Sequence, residues 1–138
     1  MGERLNAASA LLGRALLSLI FIISGFHKLA AYGATAAYMD KFGVPGLLLP
    51  LVIGVEIGGG ALILAGFHTR AVAFVMAGFT FLAGALFHLA AGDPGNMIHF
   101  WKNVAIAGGF LCLSAAGGGA WSADSLIHHR RRAAGAAG

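Results

Sequence analysis

The stretch LLLPLVIGVEIGGGALILAGF, residues 47–67, decides how this chain is read. It is apolar over roughly the 20 residues that a helix needs to cross a bilayer. One carboxylate, Glu56, sits near its middle, and Gly58, Gly59 and Gly60 follow closely. A charge at that depth costs on the order of 2.5 kcal/mol or more. Glu56 must therefore be neutralised, paired or wetted, and the stretch predicts a spanning helix with a polar centre.

Outward from that stretch, apolar blocks of similar length recur at residues 11–31, 71–91 and 98–118. The chain is 59% hydrophobic and only 10% charged, where soluble domains run near 25% charged. A soluble bundle would need polar stripes, yet residues 74–87 carry only Thr80 as a polar side chain. The expected fold is all-α, an integral membrane four-helix bundle in a single domain over residues 1–138. Its spans fall at about 11–31, 47–67, 71–91 and 98–118, and residues 119–138 are expected to form a flexible basic tail on solvent or anionic headgroups. Arg14 and Lys28 bracket the first apolar block at both ends, which suits an uncleaved anchor better than a signal peptide.

The connections agree with that plan. Residues 34–42 suit a short interfacial helix with Tyr38 and Phe42 at headgroup level, stopped by Gly43-Val44-Pro45-Gly46. His68-Thr69-Arg70 is a tight turn that makes the second and third segments antiparallel neighbours. Gly92-Asp93-Pro94-Gly95 is a strong turn signal. An even number of spans puts both termini on one side. Arg4, Arg14, Arg70 and Arg130–Arg132 then lie on the terminal side, and Lys28, Lys41 and Lys102 on the other. The positive-inside rule makes both termini cytoplasmic.

The net charge of +4 and the pI near 9.9 do not indicate nucleic acid. The basic residues sit at segment ends and in one run, with no interleaved aromatic platform. The single cysteine, Cys112, excludes an internal disulfide and a dithiol cycle within the chain, and reads as a small packed apolar residue.

Lipid supplies no hydrophobic drive between helices, so close backbone approach and polar contacts must hold the bundle. Arg14, Ser18, Phe21, Gly25 and Lys28 share one seam of the first helix, which should face inward. Small-residue pairs Gly54/Gly58, Ala73/Ala77, Thr80/Gly84 and Ala105/Gly109 suit packing notches.

By depth, Lys28, His88 and Lys102 lie about one turn inside the outer boundary, with His27 and His99 at similar levels. Glu56 falls about 9 Å below Lys28 at the helical rise, and Arg14 lies deeper still, near the inner boundary. Several readings fit. One is a structural network in which Glu56 pairs with Lys28, Lys102 or Arg14, or is simply protonated. The cluster also suits a quinone pocket, with His88 or Lys102 as donors to quinone carbonyls and a Glu–His pair relaying protons. His27, His88, His99 and Glu56 include metal-ligand types, but no pair has the H-x-x-x-H spacing, and no metal is assigned. Transport has little room within four short helices. Whether the chain is an enzyme stays open.

These residues resemble the DoxX family of small four-helix membrane proteins. The matching positions are Arg14, Gly25 and Lys28 in GRALLSLIFIISGFHKL, Gly43-Val44-Pro45 in the first loop, and Glu56 in the second helix. They continue with Gly66 before the turn, His88, and Lys102-Asn103 opening the fourth helix. The likeness covers about residues 11–116. It implies a bacterial inner-membrane location. It also implies roles such as quinone-linked oxidation of reduced sulfur compounds, membership of membrane complexes handling oxidative stress, or assistance to disulfide formation; the lone Cys112 counts against the last. The expectation is a redox-associated, quinol-linked membrane subunit whose candidate pocket is Glu56, His88, Lys28, Lys102, Asn103 and Arg14. The alternative is a non-catalytic accessory or assembly subunit. Expected partners are the lipid bilayer and a larger membrane complex or a second copy of the chain.

Overall fold

The structure, a computed structural model, describes residues 2–89 and 94–136. The secondary structure among them is helical throughout. In an apolar run, a helix satisfies every backbone N–H and C=O within itself, which hydrocarbon demands. Helix α1 covers Gly2–Ala30, with Glu3 in its first turn and Lys28 in its last, as the helix dipole favours. Helix α2, Tyr32–Lys41, falls close to the short helix expected at residues 34–42. It stops at Gly43, which takes φ 74°, and the Asp40 carboxylate accepts from the Gly46 N–H at 2.8 Å. Helix α3 covers Gly46–Ala65, α4 Thr69–Leu89, α5 Pro94–Ala116 and α6 Ala123–Gly135.

Helices α1, α3 and α4 are each long and apolar enough to cross a membrane. Helix α5 has comparable length, 23 residues, but His99, Lys102 and Asn103 interrupt its first turns. The last two residues of the third expected span, and Gly92 and Asp93 of the expected turn, lie outside the described residues.

The helices pair. Helix α1 packs along α3 and α4 packs along α5, with fewer contacts between the pairs, and α2 lies across one end. Phe21, Ile63, Met76, Ala77 and Phe110 form the central core where the pairs meet. A smaller core of Met39, Leu49 and Ile53 sits beneath α2. The α1 seam faces inward as read: Arg14, Ser18, Phe21 and Gly25 are buried. Gly25 permits a close approach, because a Cβ there would lie 2.5 Å from Ile57 Cγ1. Ala73, Ala77, Thr80 and Gly84 are buried too. Gly54 and Gly58 differ from the expected notch: a Cβ on either would meet nothing within 4 Å. Cys112 is exposed rather than packed.

The end of the bundle away from α2 is tied by polar contacts. Gly66, at φ 70°, closes α3. The buried Arg14 guanidinium donates to the Leu64 carbonyl at 2.8 Å, the Ile63 carbonyl at 3.3 Å and the Trp121 carbonyl. Arg70 donates to the Ala115 carbonyl at 2.6 Å, so it caps α5. The tail, expected to fray into solvent or rest on anionic headgroups, is ordered locally: residues 123–135 form a helix with Ser122 as its N-cap.

Candidate functional site

Two of the spanning helices are not regular. Within α3, Val55–Gly59 is a π-helical turn, and within α4, Ala85–Leu89 is another. A π-turn widens the helix and leaves the i→i−4 ladder, and such turns gather at functional sites. The first carries Glu56 and the second carries His88. Both side chains line one cavity of about 450 Å³, within the range of roughly 300–1,000 Å³ common for small-molecule sites.

The cavity lies between the two helix pairs, with α2 at one end. Helix α1 contributes Ser24 and Lys28, α2 contributes Thr35 and Tyr38, and α5 contributes Asn103. The remaining wall is largely apolar, including Phe21, Val52, Phe79 and Phe87. Tyr38 stacks on Phe87 with ring centroids 5.8 Å apart, and Phe42 meets the same ring at 5.6 Å. That cluster fixes α2 over the cavity.

Glu56 is buried, with 5% of its surface exposed. The Lys28 ammonium donates to Glu56 Oε1 at 2.8 Å and to Ser24 Oγ at 2.6 Å. The Ser24 hydroxyl donates to the same carboxylate oxygen at 3.3 Å. The depth offset expected along the helices is thus spanned by the two long side chains. The other carboxylate oxygen, Oε2, is buried without a hydrogen-bond partner among the described residues, and so is His88 Nδ1. A buried polar atom without a partner costs on the order of 1–3 kcal/mol. Two such atoms on the wall of one cavity mark a place where a ligand or water completes the bonding.

The other expected site residues divide. Asn103 lines the cavity, and its Nδ2 donates to the His99 carbonyl at 3.2 Å. Lys102, His27 and His99 are exposed and lie outside the cavity wall. The His99 ring nevertheless lies 5.3 Å from the His88 ring, centroid to centroid. Arg14 is not in the pocket: it caps α3 at the opposite end, because a guanidinium near a helix C-terminus is drawn to the unpaired carbonyls there. Ser24 was missed in the sequence, although its place four residues before Lys28 puts it on the same helix face.

The sequence profile of the DoxX family matches residues 9–89. The chain belongs to the DoxX family. Among its relatives, the inner membrane protein YqjF of Escherichia coli (strain K12) is 44% identical over 128 residues, covering 93% of this chain and 98% of that protein. The inner membrane protein YphA of the same organism is 40% identical over 121 residues, covering 83% of this chain and 86% of that protein. No solved structure matches. This DoxX protein is a multi-pass protein of the bacterial inner membrane. Apolar side chains such as Leu16, Phe74 and Leu82, each 60–65% exposed, accordingly face lipid.

The cavity is a largely apolar space bordered by a few polar side chains. Its chemistry is asymmetric. One wall offers a carboxylate held by an ammonium, the other an imidazole and an amide. Such a pair of walls accepts a molecule with hydrogen-bonding groups at two edges and an apolar body between them.

Proposed function

We propose that this DoxX protein is a four-span membrane subunit, with both termini cytoplasmic, whose Glu56–His88 cavity binds quinol in support of a redox complex. The observation that carries the reading is the pair of unpartnered polar atoms, Glu56 Oε2 and His88 Nδ1, on the wall of one apolar cavity. The gathering of Arg4, Arg14, Arg70 and Arg130–Arg132 toward the terminal side supports the orientation.

A quinol supplies two electrons and two protons on oxidation. Glu56 Oε2 is the acceptor for a hydroxyl proton at one edge of the ring. His88 faces the other edge and exchanges a proton with it. Lys28 holds Glu56 in position, and Ser24 keeps Lys28 there. The electrons leave to a partner redox subunit. The test is binding of a quinone analogue to the purified protein in nanodiscs. Glu56→Gln and His88→Ala should abolish binding while the melting temperature holds. Loss of the fold in both variants instead would favour a structural network.

A second reading, an accessory or assembly subunit packed on a larger complex, draws on the open faces at Gly54 and Gly58. Small residues of this kind let another helix approach closely. Co-purification in mild detergent, lost on Gly58→Leu, would favour it.

A further inference from the structure

We propose that the terminal helix α6 is a lipid-reading arm that lies on anionic phospholipid headgroups. The helix is fixed to the bundle only through its first turn. Asp124 Oδ1 accepts from the His68 N–H at 2.7 Å, and Oδ2 accepts from the Thr69 N–H at 2.8 Å and its hydroxyl at 2.7 Å. The Asp124 N–H in turn donates to the Gly66 carbonyl at 2.9 Å. Those partners belong to the turn between two spanning helices, so α6 starts at the membrane boundary.

Beyond that turn, the whole helix is uncovered, from Leu126 to Gly135. Leu126, Ile127, Ala133 and Ala134 share one face at seven-residue spacing. Leu126 is 63% exposed, and the preceding Trp121 is 53% exposed. Arg130, Arg131 and Arg132 reach no acidic side chain, because the one ion pair among the described residues is Lys28–Glu56. Arg130 sits between the apolar positions, where its stem covers hydrocarbon while its head reaches outward.

This composition is the pattern of an in-plane helix: apolar residues on one side, arginines around them and an aromatic residue at the boundary. The occupant follows from charge. A run of arginines next to a bilayer is attracted to anionic headgroups and far less to zwitterionic ones. The arm lies at the end that carries Arg14 and Arg70 as well, but those guanidinium groups are engaged in capping carbonyls. The three tail arginines are the ones left for lipid. This inference is independent of what the cavity binds.

Hydrogen exchange of the full chain in nanodiscs tests it. One set of discs is phosphatidylcholine alone; the other also contains phosphatidylglycerol. Amides from 126 to 135 should exchange at least about fivefold more slowly in the anionic discs. Protection should disappear in high salt and in a variant with Arg130, Arg131 and Arg132 all changed to Gln, with the spanning helices unaffected. Equal exchange in the two lipids, or protection that survives high salt, would overturn the proposal.

Discussion

Glu56 is held through one oxygen only, and that half-satisfaction makes Lys28 the residue with most to lose. Lys28→Ala leaves a buried carboxylate without a counter-charge, which costs about 3 kcal/mol. Glu56→Gln in the same chain should restore much of that loss. Thermal unfolding of the two single variants and the double variant measures the coupling, expected between about 0.5 and 3 kcal/mol. Purely additive losses would mean that the 2.8 Å contact contributes nothing. The pairing was open to a reader of the sequence because charges are scarce and depth along a helix can be counted. The role of Arg14 was not. Its acceptors are the carbonyls of Ile63, Leu64 and Trp121, and backbone acceptors leave no letter in a sequence. A guanidinium and a carboxylate in one small bundle suggest each other, whereas the end of a helix offers the nearer set of partial charges.

At the scale of the elements, the two π-turns do what residue identity alone cannot. Each shifts the helical register by one position, and the residue it re-aims is a polar residue on the cavity wall. Deleting Gly58 should return α3 to an unbroken α-helical ladder. Nothing packs on Gly58, so the deletion removes no side-chain contact. The expected outcome is a folded, membrane-inserted protein that has lost affinity for a quinone analogue at least tenfold, about 1.4 kcal/mol. Unchanged affinity would show that the wide turn is incidental. A second expectation concerns spacing. Gly25→Val should lower stability by about 1–3 kcal/mol, because the new side chain collides with Ile57 where α1 crosses the π-turn; a melting curve decides it. Three of the expected spans, now α1, α3 and α4, were legible, since block length and hydropathy depend on composition. The π-turns were not, because no residue type is reserved for them; three consecutive glycines after Glu56 were the faint hint.

At the scale of the whole molecule, the tail does more than end the chain. Partial burial alone would raise the Asp124 pKa, but hydrogen bonds from Thr69 and His68 outweigh it and hold it below the ordinary 3.8. A lowered carboxylate pKa gives stability that is complete above the ordinary value and is lost as pH falls through the lower folded one. Acidification past about pH 4 should therefore release α6 from the turn before the spans unfold, as increased exchange at His68 and Thr69 would report. Asp124→Asn should lower stability by about 0.5–2 kcal/mol, as loss of a capping carboxylate does, and should remove that pH response. The helical order of the tail is not legible in the sequence because it rests on contacts with residues 55 or 56 positions away, and local composition, rich in Gly, Ala and Arg, contains no trace of them. The ties themselves have a mechanical consequence. Arg14 fastens α1 and α3 to the Trp121 carbonyl, and Asp124 fastens the same segment to α4, while at the far end Lys28 and Ser24 bind within the α1–α3 pair. The polar ties between the two pairs thus gather at the tail, while at the far end Tyr38 and Phe42 meet Phe87 through ring contacts. A guest moving between the pairs at that end therefore has rings to part rather than ion pairs to break.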